Sequence, residues 1–173
     1  MAKRGLIVGK FYPPHRGHRF LIETACSQVD HLTVFVCSKP EQTPTAELRA
    51  AWLREIHPNV EFRVVADELN ADDSAGWARF CRSCLEYTPE VVFTSEDYGD
   101  RFAYFLGCRH VQVDRARRTV SVSATHVRAN PWLAWDFLDP PVRGYYALRV
   151  CIVGAESTGK TTLAAALAKE LGT

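Results

Sequence analysis

The sequence predicts an α/β protein in which a parallel sheet is covered by helices on both faces. Three observations carry that prediction. Short apolar runs of strand type alternate with segments whose apolar residues recur at helical spacing. The connections are short, and neither an internal repeat nor a low-complexity linker interrupts the rhythm. With 173 residues, 47% apolar and 24% charged, the chain has room for one well-cored domain and a fragment of another.

Each element follows from its own residues. "GLIVGKF" is a buried-strand run, and "GHRFLIETACSQV" carries apolar residues at helical spacing. "HLTVFVC" is the next strand. "TAELRAAWLREI" is a helix with Thr45 as its cap, ended by His57–Pro58. Then come the strand "VEFRVV", a helix around Trp77–Tyr87, the strand "EVVFTS", a short helix around Tyr98–Leu106 and the strand "RHVQVD". "NPWLAWDFLDPPVRGYY" is a Pro-punctuated helical passage that closes this domain, and "LRVCIVG" begins something new as an apolar strand. The expected division is a domain over 1–147 and a fragment over 148–173. In open sheets of this kind, ligands bind at the carboxyl ends of the strands, near the point where strand order reverses.

Composition narrows the function classes. A formal net charge of +1 removes the footprint of a dedicated DNA binder, so no nucleic-acid partner is expected. Arg115, Arg117 and Arg118 form a cluster short enough to read as a solvated turn. The start "MAKRGLIVGK" has too short an apolar run for a signal peptide, and nothing approaches a membrane span, so the expected location is the cytoplasm. Six cysteines fit that compartment as reduced, mostly buried thiols. Cys81 and Cys84 make a lone C-x-x-C in a helix interior, where packing is the expected role because no second ligand pair accompanies them.

Three places concentrate polar chemistry. In "GKFYPPHRGH", His15 and His18 flank a glycine where a strand hands over to a helix. A helix N-terminus offers free N–H groups and partial positive charge, which suit phosphate. Imidazole N–H groups add directed donors, Lys10 adds a mobile cation, and Gly17 lets a ligand approach the backbone. Two surface histidines, or half of a metal site, are the alternative readings; the second lacks third and fourth ligands at suitable spacing. In "VSVSATHVRANP", Ser123 and Thr125 are placed to cap a short helix, with Arg128 on its first turns. Hydroxyls, N–H groups and a guanidinium then converge as a second phosphate clamp. Finally Gly154, Gly159, Lys160 and Thr161 fit the P-loop pattern G-x-x-x-x-G-K-[ST].

H-x-G-H after the first strand, joined to a late [IV]-S-x-T-x-x-R, resembles the nucleotidylyltransferase superfamily. The fuller strings "GKFYPPHRGH", "PTAELRAAWL", Gly76–Trp77, "VFTSE", Val113–Asp114 and "VSATHVRANP" are similar to one branch. That branch is the bifunctional NadR-type family, nicotinamide-nucleotide adenylyltransferase joined to ribosylnicotinamide kinase. The resemblance covers essentially the whole chain and implies a Rossmann-like nucleotidylyltransferase fold followed by an incomplete P-loop fragment. The chain departs from the family in lacking the helix-turn-helix module of some members, and its kinase part stops after the first strand, P-loop and helix. The cradle is therefore expected to be vestigial and kinase activity absent. The tail should be mobile or docked, with Leu163, Leu167 and Leu171 on one uncovered face. A stand-alone P-loop NTPase is excluded on the same reading, since no strand beyond Thr173 carries the Mg²⁺-binding acid.

The implied reaction is adenylyl transfer from ATP to nicotinamide mononucleotide, giving NAD and pyrophosphate. Mg²⁺ is expected to be held by ATP phosphates and water rather than by protein ligands. The resemblance implies that His15, His18 and Arg128 act on the ATP phosphates, with the hydroxyls of Ser123 and Thr125. It implies backbone contacts to the dinucleotide from Gly9 and Phe11, and to the adenine edge from Val120, Ser121 and Val122. Thr94, Ser95 and Glu96 end a central strand where ligand contacts are expected. Arg49 is either a partner for the mononucleotide phosphate or a solvent-facing helix arginine. Trp77, after Gly76, is either a stacking face for the nicotinamide ring or a core tryptophan. Another H-x-G-H transferase with a different acceptor, or a non-catalytic NAD sensor, remains as an alternative, and a homo-oligomer is left open.

Overall fold

The computed structural model describes residues 2–171. Five parallel strands form one sheet: β1 (Arg4–Gly9), β2 (His31–Ser38), β3 (Glu61–Ala66), β4 (Val91–Thr94) and β5 (Arg109–Gln112). Their order is β3-β2-β1-β4-β5, so the chain builds outward from β1 and then returns to its other side. The reversal falls between β1 and β4, the switch point at which such sheets open a crevice. β1 runs in register with β2 from Arg4 opposite His31 to Gly9 opposite Val36.

Strand alternation distributes the core. Ile7, Val34, Val36 and Phe93 face α1 (Arg16–Cys26) and α2 (Ala46–Ile56), meeting Leu21, Ile22, Ala50 and Leu53. Leu6, Phe35, Cys37 and Val92 face the other way, onto α3 (Ser74–Leu85) and α4 (Gly99–Leu106), meeting Ala78, Cys81, Phe102 and Leu106. Because successive side chains point to opposite faces, a continuously apolar strand has to be covered on both. That is why "LIV" and "TVFVC" carry almost no polar residues. Cys81 is buried and Cys84 half-buried on α3, both as free thiols.

Local chemistry sets the helix ends. Thr45 caps α2 through its hydroxyl, which accepts from Leu48 N–H at 3.4 Å. Asp73 caps α3 by accepting from Gly76 N–H at 2.8 Å. Gly107, at φ 80°, ends α4 in the left-handed conformation that a Cβ disfavours. The Pro-punctuated passage resolves into a 3₁₀ turn, Trp135–Phe137, and α6 (Pro140–Tyr146) after the short α5 (Ala124–Ala129). Together they form a third apolar cluster in which Val122, Val127, Leu138 and Val142 cover Trp52 of α2. Among the described residues no helix is long and apolar enough to cross a membrane.

The structure corrects one expected element. "LRVCIVG" is neither strand nor helix, and Leu148, Val150 and Val153 are 81%, 72% and 87% exposed. An apolar run becomes a strand by pairing its N–H and C=O groups with a neighbour, and the described sheet ends at β3 and β5 without it. Beyond it α7 (Lys160–Leu171) does form, with Leu163 and Leu167 exposed. The side chain of Leu171, together with Gly172 and Thr173, lies outside the described residues.

Candidate active site

A cavity of about 590 Å³ opens at the carboxyl ends of the strands. Its wall is drawn from the segment after β1 (Gly9, Lys10, Phe11, Tyr12), from His18, from Thr94, Ser95 and Glu96 after β4, and from Asp67, Trp77 and Arg128.

The histidine pair is built by the helix it begins. His15 is the N-cap of α1, and its Nδ1 accepts from Gly17 N–H at 3.1 Å. A nitrogen that accepts carries no proton, so the neutral ring holds its proton on Nε2 as a donor. The same fold-back explains the glycine between the histidines, because a Cβ on Gly17 would lie 3.0 Å from the His15 ring. His18, one turn on, stacks on His15 with ring centroids 3.8 Å apart, and the Phe11 ring leans on it at 4.9 Å. Burial, then the charge of Arg117, lowers the His15 pKa to about 4. Burial, then His15 and Arg117, holds His18 well below its ordinary value. At neutral pH these are two stacked neutral imidazoles, each able to aim an N–H. His18 Nδ1 is buried and has no hydrogen-bond partner among the described residues.

The second clamp differs in detail from expectation. Ser123 caps α5, its hydroxyl accepting from His126 N–H at 3.1 Å. Thr125 does not cap. It sits one residue inside the helix, where its hydroxyl accepts from Arg128 Nη2 at 3.1 Å. Arg128 also donates to the Tyr12 carbonyl and stands 4.8 Å over the Tyr12 ring, which ties the late helix to the loop after β1. The structure thus brings His18 and Arg128 to one cavity, with Ala124 beside Arg128.

Other named residues fall elsewhere. Arg49 is wholly buried, which overturns the solvent-facing reading. Its guanidinium donates to the carbonyls of Lys10, Thr45 and Cys37 and to Gln42 Oε1 at 2.9 Å, and lies 5.1 Å over the Tyr12 ring. Four oxygen acceptors satisfy a charge that burial alone would make costly. Gly76 is needed by the cap, since a Cβ there would lie 2.2 Å from Asp73 Oδ2. Trp77 is half-buried and does two things: it packs edge-on against Phe80 at 5.8 Å and it lines the cavity. Val120, Ser121 and Val122 stay off the cavity wall. Val120 N–H is bound to Asp114 Oδ2 and Val122 N–H to the Val120 carbonyl, both within their own turn. Thr94 is buried, its hydroxyl donating to the Glu96 carbonyl at 3.1 Å.

Sequence reasoning passed over Tyr12, Asp67 and Arg117. Tyr12 lies within "GKFYPP", and its hydroxyl binds both the carbonyl and N–H of Thr43. Arg117 is exposed as expected of a solvated turn, yet it is close enough to depress both histidines and pairs with Glu96 at 3.6 Å. Asp114 builds that turn by accepting from the N–H groups of Arg118, Thr119 and Val120. Cys37, also on the cavity wall, is no nucleophile: burial pushes its thiol up to about 12.

A five-stranded parallel sheet of this order, with a glycine-spaced histidine pair at the end of its first strand, is the frame of a nucleotide-handling α/β domain. Residues 6–130 match the cytidylyltransferase-like family, and the chain belongs to that family. It is 31% identical over 98% of its length to the trifunctional NAD biosynthesis/regulator protein NadR of Escherichia coli (strain K12), covering 47% of that protein. It is 27% identical over 55% of its length to a nicotinamide-nucleotide adenylyltransferase of Caldivirga maquilingensis, covering 58% of it. A crystal structure of NadR protein in complex with NAD and AMP-PNP shares the fold, with a TM-score of 0.75 at 23% identity over 99% of this chain and 54% of that one. The chain spans about half the length of the NadR proteins it matches.

Proposed function

We propose that residues 1–147 transfer the adenylyl group of ATP to nicotinamide mononucleotide, giving NAD and pyrophosphate. The observation that carries this reading is the stacked, neutral His15–His18 pair, with His18 and Arg128 lining one cavity. The names of the NadR and adenylyltransferase relatives support the choice of acceptor.

The attacking group is a phosphate oxygen whose second pKa is about 6, already ionised at neutral pH, so no general base is needed. What remains is positioning and stabilisation of charge that grows on the α-phosphate and the leaving pyrophosphate. Neutral imidazoles suit that task as directed N–H donors: they stabilise growing charge without holding either substrate as a fixed salt bridge. His18, on the cavity wall, donates to the α-phosphate, and His15 holds its ring in place. Arg128 and the hydroxyls of Ser123 and Thr125 take the β- and γ-phosphates, with Lys10 as a mobile cation. ATP enters as its Mg²⁺ complex, the ion held by phosphates and water. Trp77 stacks on the pyridine ring. Arg49, committed to four oxygens, acts by fixing the Lys10 carbonyl and hence the loop that carries the histidines.

Incubating the purified protein with Mg-ATP and a panel of phosphate-bearing acceptors, and separating the products, tests the reading. NAD and pyrophosphate in equal amounts are expected. Turnover only with another acceptor would replace nicotinamide mononucleotide in the proposal, and NAD binding without turnover would make the protein a sensor.

A further inference from the structure

We propose that Asp67 is the specificity-determining residue that selects an acceptor bearing a pyridine carboxamide over one bearing a pyridine carboxylate. The inference rests on the adenylyl-transfer reading above. Asp67 follows directly on β3, and its N–H donates to the Ser38 carbonyl at 2.9 Å, which fixes its backbone at the carboxyl edge of the sheet. Its side chain is only 7% exposed, lies on the cavity wall with Trp77, Ala71 and Ser74, and its Oδ2 has no hydrogen-bond partner among the described residues. Lys10 Nζ stands 3.4 Å away, near enough for an ion pair but not aligned to donate, on a side chain that is 53% exposed.

A buried carboxylate oxygen balanced by a neighbouring cation but given no hydrogen bond is incompletely satisfied, which leaves it able to accept from a donor that arrives with the ligand. The carboxamide –NH₂ is such a donor, and the pyridinium ring that bears it is cationic. A ring carboxylate accepts only, and would set a second negative charge against a carboxylate that is itself largely buried. Glu96, the other carboxylate on the wall, faces Arg117 at 3.6 Å on a side chain that is 61% exposed, so water already satisfies it and it gains less from a ligand donor than buried Asp67 does. Lys10 relieves Asp67 while the cavity is empty. Once Lys10 turns to the substrate phosphates, Asp67 reads the ring substituent alone. Discrimination then comes from repulsion of the wrong acceptor as much as from attraction of the right one.

The test is kcat/KM for nicotinamide mononucleotide and for nicotinic acid mononucleotide, with Mg-ATP, in the wild type and in Asp67→Asn. The wild type is expected to favour the amide by on the order of 10²-fold or more. Asp67→Asn is expected to cut that ratio at least about tenfold, through the acceptor KM values, with the KM for ATP unchanged. Asp67→Ser, expected to do the same, keeps the test readable should the asparagine variant unfold. A ratio that stays within about twofold while both acceptors slow together overturns the proposal, because Asp67 would then touch a group both share, such as the ribose hydroxyls. A wild type that does not discriminate overturns it as well. A wild type that turns over neither acceptor fails differently, by removing the adenylyl-transfer reading beneath it.

Discussion

His18 lines the cavity and has a buried Nδ1 without a hydrogen-bond partner among the described residues, while His15, stacked on it, is committed to capping the helix. A donor aimed at charge that exists mainly in the transition state lowers the barrier without tightening the ground state. His18→Ala is therefore expected to reduce kcat by on the order of 10²–10³, with the mononucleotide KM nearly unchanged, as steady-state kinetics would read. A variant with near-normal kcat would remove His18 from the chemistry. The pair also marks stability. His15 titrates near 4 in the folded protein and near 6.5 unfolded, so between those values the unfolded chain binds more protons. The contribution is complete above pH 6.5 and is lost as pH falls toward 4. Urea unfolding at pH 7 and pH 5 should show the wild type losing about 2 kcal/mol more than His15→Gln. Equal losses would mean that His15 titrates normally.

At the scale of elements, the loop between β1 and α1 is held from outside itself. Arg49 of α2 binds the Lys10 carbonyl, Arg128 of α5 binds the Tyr12 carbonyl, and both guanidinium groups lie over the Tyr12 ring. Removing the buried guanidinium leaves several carbonyls without donors. Arg49→Met is expected to lower stability by about 3 kcal/mol in chemical denaturation, and to slow catalysis further by loosening the histidine loop. A loss confined to the acceptor KM, with stability intact, would instead make Arg49 a ligand of the mononucleotide phosphate. Tyr12→Phe removes the hydroxyl that clasps Thr43 but keeps the ring, and should cost no more than about 1 kcal/mol.

At the scale of the molecule, the sheet with its two helical layers is complete by Tyr146, and the largely exposed 147–159 stretch joins none of its apolar clusters. Limited proteolysis should cut first between 147 and 159, and a 1–147 fragment should keep adenylyl-transfer kcat/KM within about twofold. Loss of activity on that cut would show that the P-loop segment supports the first domain. The chain of 173 residues is expected not to phosphorylate nicotinamide riboside, because Lys160 folds back onto its own Ala155 carbonyl and no described strand supports the cradle. Robust riboside phosphorylation would overturn this.

Sequence alone determined the order and type of the nine elements from β1 to β5, because period-2 and period-3.6 apolar patterns are local and each strand had to be covered on both faces. It also placed His15 and His18 at the start of α1 and Ser123 at the cap of α5, since glycine spacing and a cap hydroxyl are short-range signals. Thr125 as a cap and "LRVCIVG" as a strand failed for different reasons. The first turned on two residues of helix phase, since Ser123 already holds the cap, and the second on a pairing partner that a local pattern does not contain. What lay wholly beyond the sequence were the relations across the chain. Arg49 is buried because acceptors from three other segments surround it, the histidines feel the charge of Arg117 carried on the Asp114 turn, and Asp67 Oδ2 is left among the described residues with an ion-pair neighbour, Lys10, but no hydrogen-bond donor. Burial and charge act through space, so only the tertiary structure could decide them.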